Sequence, residues 1–150
     1  MSVHKATIVW RRQTDSFDYA DYNRDHSWDF ESVQVAASSA PGFLGDAARV
    51  DPEEAFVASL SSCHMLTFLA LASKKRFVVD AYRDEATGVL AKNADGKLAV
   101  TRVTLRPVID FSGDRQPDAA AIRKMHDRSH EECFIANSVR TEVVVEVAGD

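Results

Sequence analysis

The chain carries two cysteines, and each ends a stretch rich in charged or polar groups. Cys63 follows "DPEEAFVASLSS", so an acid near the start of that stretch, Glu53, precedes the thiol by ten positions. Cys133 closes "HDRSHEEC". Two chemistries fit these residue types. The first is thiol redox chemistry. A free thiol ionises near pH 8.5, and the reactive form is the thiolate, so a nearby guanidinium is needed to favour it. A carboxylate alone would hinder ionisation, but it helps when it clamps that arginine through a bidentate pair. The second is metal binding. His126 and His130 stand at i and i+4 with Cys133 three positions beyond, a spacing that can ligate zinc, with Cys63 as a fourth ligand. Each residue also has a plain structural role. A lone cysteine is usually a small buried hydrophobe, and His126 sits in the polar run "RKMHDRSHEE", which reads as a solvent face.

The elements that must position these residues follow from local signals. Asp51 is a good N-cap, Pro52 suits the first helical position, and Glu54 falls where a capping-box acid reaches back, with Val50 placed to staple the entry. A helix is expected from Pro52 to about Lys75, where "SKKR" sets cations at the negative end of the dipole. Glu54 is accounted for by capping; Glu53 is not. His4–Arg12 and Ser27–Ala37 read as strands, with a polar and aromatic excursion over Gln13–Asp25 between them. Phe77–Leu90 and Lys97–Phe111 read as two long strands joined across "KNADG", where Asp95 and Gly96 supply turn chemistry. Pro117–Glu132 reads as a second helix and Thr141–Val147 as a final strand. The order β-β-α-β-β-α-β describes an α+β fold, an antiparallel sheet with a long central helix and a second helix packed on it.

Bulk properties narrow the function classes. A chain of 150 residues is expected to form one domain, residues 1–150. It is 45% hydrophobic and 27% charged, enough for a true core. The net charge of -5 and the absence of a basic run argue against nucleic acid and anionic membrane as partners. The longest apolar run, "MLTFLALA", is too short to span a bilayer, and "MSVHKATIVW" lacks signal-peptide architecture. A cytoplasmic location is therefore expected, where two cysteines more often serve redox or metal chemistry than a structural staple. No glycine-rich phosphate loop is present, and no cofactor is expected.

The stretch "DPEEAFVASLSSC" resembles the Asn-Pro-Glu-Glu/Gln start, small-residue run and cysteine of the osmotically inducible protein C / organic hydroperoxide resistance proteins. "HEEC" lies where that family has its second cysteine, and the element order is also similar. The resemblance spans nearly the whole chain. It implies an OsmC-like fold, an intertwined homodimer, and a thiol-dependent peroxidase acting on organic hydroperoxides with an external dithiol as reductant. It assigns the peroxidatic role to Cys63, the resolving role to Cys133 and the acid to Glu53. Arg24, which opens "RDHSW" shortly before the second strand, is the expected arginine, with Arg11 and Arg12 as competitors. The chain departs from the family pattern at His64, where an aromatic is common, and in "CFIANSV", which lacks the usual proline.

Helix geometry adds an expectation about assembly. Ten residues rise about 15 Å, so on a straight helix Glu53 cannot reach Cys63 of its own chain. Two such helices packed antiparallel about a two-fold axis near Ala58 would bring each Glu53 level with the partner's Cys63, and the small residues Ala58, Ser59, Ser61 and Ser62 would admit that close approach. Phe56, Leu60, Leu66 and Phe68 are candidates for an apolar substrate pocket, with core packing as their plain role. His64 and Trp28 are also candidates for that pocket, with a packed surface role as the plain reading of each. A redox-silent domain that binds a small apolar ligand is the third reading, beside the peroxidase and the zinc domain.

Overall fold

The computed structural model describes residues 1–147. The chain forms two compact units, Met1–Ala55 and the remainder from Phe56 onward.

In the first unit, β1 (Thr7–Val9), β2 (His26–Asp29) and β3 (Gln34–Ala37) make an antiparallel sheet in the order β1-β2-β3. Ile8 faces Trp28 across one ladder and Trp28 faces Val35 across the other. The single strand expected over Ser27–Ala37 is thus a hairpin. The Phe30 N–H donates to the Val33 carbonyl at 2.9 Å and turns the chain, which accounts for the irregular alternation there. The excursion before β2 holds an aromatic cluster of Trp10, Phe17, Tyr19 and Tyr22. Asn23 supports it, accepting from the Gln13 N–H at 2.8 Å and donating to the Arg11 carbonyl at 3.0 Å.

The helix α1 spans Pro52–Lys74. Its capping box closes in both directions: the Glu54 N–H donates to Asp51 Oδ1 at 2.7 Å, and the Asp51 N–H donates to Glu54 Oε2 at 3.2 Å. It ends as Arg76 turns left-handed at φ 62° and the Phe77 N–H reaches back to the Ala72 carbonyl at 3.0 Å. One i, i+4 stripe, Leu60, His64, Phe68 and Ala72, is buried. A second stripe, Ala58, Ser62, Leu66 and Ala70, is exposed. By length and composition the helix could cross a membrane, with mean hydropathy 1.7 over an 18-residue window. Its uninterrupted apolar runs are short, because serines and a histidine are scattered among the apolar residues.

The two long strands expected after α1 are each broken once. β4 (Val78–Asp84) pairs with β7 (Pro107–Ser112), and β5 (Thr87–Lys92) pairs with β6 (Leu98–Leu105). The break is anchored by Asp84, which accepts from the Arg106 N–H at 2.6 Å and from the Ser61 hydroxyl of α1 at 2.5 Å. The turn at the far end is built on Asn93, whose Oδ1 accepts from the backbone of Asp95 and Lys97, each at 3.0 Å. Gly96 takes the positive φ of 75° that this turn requires.

The second helix, α2 (Ala119–Glu132), is capped by Asp118, which accepts from the Ala121 N–H at 2.7 Å. β8 (Glu142–Val145) joins the β5-β6-β8 sheet parallel to β6, so this sheet is mixed and not antiparallel throughout. The intervening α2 returns the chain to the start of the sheet before β8 enters, as a parallel neighbour requires.

Two apolar clusters fill the second unit. Leu60, Val103 and Leu105 form one; Phe68, Ala72 and Met125 form the other. Leu60 and Phe68 are therefore core residues. At Gly88 the strand comes so close to α1 that an added Cβ would stand 2.5 Å from a Val57 methyl. Only glycine permits that approach without displacement.

Candidate functional site

Cys63 lies within α1, half-buried, and Cys133 is the buried C-cap residue of α2. Both thiols are free, and Cys63 lies near enough to act on the Cys133 thiol. The Cys133 sulfur also accepts from the Ala136 N–H at 3.4 Å. Burial, and then the nearby Cys63, push the Cys133 thiol up from its ordinary range, while its bonds from backbone N–H groups oppose this. Cys133 is thus held as a neutral thiol against a second, more accessible sulfur. That arrangement suits condensation with an oxidised partner better than attack on an outside electrophile.

Beside Cys63, the His64 ring is buried at 1% exposure and meets His126, equally buried, from α2. His64 Nε2 and His126 Nδ1 are 2.9 Å apart, and the ring planes are within 7° of parallel. His126 also stacks on Phe68, centroid to centroid 4.4 Å, so its ring is gripped by two α1 residues one turn apart. Burial holds both imidazoles neutral, with pKa values pulled down to about 4. For His64 the nearby His130 adds to the lowering and Asp84 opposes it; for His126, His64 and Arg123 add to it. Neither residue has the surface role expected from its neighbours in the chain. A signal was present for His64, which continues the buried i, i+4 series Leu60, Phe68 and Ala72.

The four-residue zinc arrangement does not form. His126 turns to His64, His130 is exposed, and no group of three or more His, Cys, Asp or Glu side chains is gathered among the described residues.

Arg24 and Glu53 belong to the first unit. The Arg24 guanidinium donates to the carbonyls of Tyr19 and Tyr22 and lies 3.7 Å from the Tyr22 ring centre and 5.0 Å from that of Tyr19. It forms one wall of a groove of about 390 Å³ whose other walls include Trp10, Phe17, Tyr22 and His26. The aromatic faces make this wall suited to an apolar organic group, with a cation at its edge. Trp28 stands apart from the groove lining and donates its indole N–H to His26 Nε2 at 2.9 Å. Of the competing arginines, Arg12 donates to the Asp15 carbonyl at 2.6 Å, and both Arg11 and Arg12 are exposed. Glu53, in the first turn of α1, is half-buried and takes no part in the capping box. Leu66 is 60% exposed, and Phe56 packs at the edge of the first core cluster.

The family model for OsmC-like protein matches residues 45–148. The chain belongs to the OsmC-like family. An OsmC-like protein of unknown function from Vibrio cholerae is 49% identical to it, with TM-score 0.95 over 98% of this chain and 99% of that one. At the level of fold alone, this OsmC-like protein is similar to an organic hydroperoxide resistance protein from Elizabethkingia anophelis, with 14% identity and TM-score 0.72 over 98% and 94% of the two chains. It is likewise similar to the organic hydroperoxide resistance protein of Bacillus subtilis, with 18% identity and TM-score 0.65 over 97% and 98%. No curated protein matches the OsmC-like chain in sequence.

Proposed function

We propose that this OsmC-like protein is a thiol-dependent peroxidase that reduces organic hydroperoxides to alcohols. The observation that carries this reading is the nearness of Cys63 and Cys133, two free thiols brought together from α1 and the end of α2. The names of the fold relatives from E. anophelis and B. subtilis support it.

In the proposed cycle, the Cys63 thiolate attacks one oxygen of ROOH and the O–O bond breaks. The sulfur is oxidised to a sulfenic acid, and RO⁻ leaves and takes a proton to become ROH. The Cys133 thiol then displaces the hydroxyl of the sulfenic acid, forming the disulfide and releasing water. An external dithiol reduces that disulfide by exchange and is itself oxidised to a disulfide. In this scheme Arg24 favours the thiolate and holds the peroxide oxygens, and Glu53 orients Arg24. The aromatic groove beside Arg24 receives the organic part of the substrate.

The scheme includes a homodimer in which Glu53 of one copy serves Cys63 of the other. Support comes from the exposed stripe Ala58, Ser62, Leu66 and Ala70 on a helix apolar on most sides. A helix of that composition is normally covered all round. Small residues on the stripe allow a second backbone to come close.

The test is thiol titration before and after one equivalent of cumene hydroperoxide. The expected result is the loss of both thiols per chain with formation of cumyl alcohol. Retention of both thiols, with the hydroperoxide unconsumed, would overturn the reading.

A further inference from the structure

The His64–His126 pair has no task in that cycle, yet it is a direct polar link between the cysteine-bearing helices. The two thiols lie beside it. On α1 the thiol and the ring belong to adjacent residues, Cys63 and His64. On α2 the ring and the thiol belong to His126 and Cys133, which lie about two turns, or about 10 Å, apart on the same side. A slide of α2 along its axis by one turn, about 5.4 Å, would separate both pairs. The apolar contacts of α2 are less directional in resisting that slide. Met125 is an unbranched, adaptable side chain, and Ile122 packs at the margin of its cluster. The imidazole contact opposes it, because it is directional and because Phe68 stacks on the His126 ring.

The inner nitrogens serve each other. The outer ones, His64 Nδ1 and His126 Nε2, are buried and without hydrogen-bond partners among the described residues. In the neutral pair one ring proton lies on the inner bond and the other on an outer nitrogen, whichever tautomer is taken. An unpartnered buried polar atom is costly, so this pair is poorly explained as general packing, which a second phenylalanine would serve better.

We propose that His64 and His126 are positioning residues for the thiol pair. By locking α2 in register on α1, they fix the approach of Cys133 to Cys63 and so set how readily the two sulfurs form a disulfide. Disulfide geometry tolerates only a narrow range of Cα separations, so a small change in register alters the effective concentration of one thiol at the other. The inference rests on reading Cys63 and Cys133 as a redox pair and not on a hydroperoxide being their oxidant.

The experiment equilibrates the full-length protein with graded mixtures of reduced and oxidised glutathione, in which the dithiol is oxidised as glutathione disulfide is reduced to two thiols. Acid trapping and mass measurement then give the fraction of Cys63–Cys133 disulfide. His126→Phe keeps a ring against Phe68 but removes the interhelical bond, and it is expected to lower the equilibrium constant for disulfide formation about tenfold, near 30 mV in potential. His126→Gln, which can still bond to His64, is expected to recover part of that shift. His64→Gln serves as the second variant where His126→Phe does not fold, with the same expected direction. A folded variant lacking the bond that matches wild-type protein across the glutathione series would overturn the proposal, as would a wild-type protein that forms no such disulfide. A wild-type protein that forms the disulfide normally but leaves hydroperoxide unconsumed would defeat the peroxidase reading alone.

Discussion

Cys133 presents a buried, neutral thiol to Cys63 and receives a hydrogen bond from the backbone N–H of Ala136 at 3.4 Å. One sulfur is therefore set up to be displaced upon and the other to do the displacing, which gives the two cysteines separable phenotypes. Cys63→Ser is expected to reduce hydroperoxide consumption to the uncatalysed background. Cys133→Ser is expected to give a single turnover that leaves a sulfenic acid on Cys63, detected by dimedone labelling and mass. Equal, multiple turnover by both variants would contradict the assignment.

Acid should destabilise the fold through the buried imidazoles. His64 ionises near 6.5 when unfolded and near 4 when folded, so between those values the unfolded chain binds more protons. The stabilising contribution is complete above about pH 6.5, falls as pH drops toward 4, and is flat below that. For His64 alone the loss is about 3 kcal/mol, and for the pair less than twice that, because part of the His126 shift comes from His64 itself. Urea denaturation at pH 7, 5.5 and 4.5 measures it. His64→Phe combined with His126→Phe should flatten the dependence over this window.

Gly88→Ala should cost about 1–3 kcal/mol, because the new methyl meets a Val57 methyl at 2.5 Å inside the packed face between α1 and β5. Pairing it with Val57→Ala, which empties that space, should recover part of the loss. Thermal melts of the single and double variants provide the comparison; additive losses would place the strain elsewhere.

Asp51→Ala removes an acceptor at the start of α1 and strands the Glu54 N–H. A loss of about 0.5–2 kcal/mol is expected in chemical denaturation, with Asp51→Asn closer to wild type. Glu53→Gln, outside the capping box, should leave stability unchanged within about 0.5 kcal/mol while lowering peroxidase activity.

Introducing charge at the exposed stripe of α1 tests the dimer. Leu66→Arg should convert the protein to monomers in sedimentation velocity and lower activity with them. A wild-type protein that sediments as a fully active monomer would sink the composite-site scheme.

Short-range signals were readable from the chain. Asp51 with Glu54 declares a cap, and Asp95 with Gly96 a turn, through residues within a few positions of one another, and the ends they mark agree closely with the structure. The OsmC-like fold was legible too, because the element order and the "DPEEAFVASLSSC" stretch point the same way. What escaped was long-range. The break in the long hairpin depends on Asp84 finding both Ser61 and the Arg106 N–H. The imidazole pair depends on a contact across 62 positions. His126 looked like a solvent-face residue because its sequence neighbours are polar, yet helical rotation turns it inward with Met125 and Ser129.

The parallel seating of β8 on β6 has a consequence for how the chain is made. A hairpin can zip as soon as its second arm leaves the ribosome, so β4–β7 can form early. The sheet of β5, β6 and β8 cannot be finished until α2 has been synthesised and has carried the chain back, since loop closure must precede that pairing. During synthesis one edge of β6 therefore stands open, and the nascent chain is most exposed to wrong pairing in the interval before Glu142–Val145 emerges.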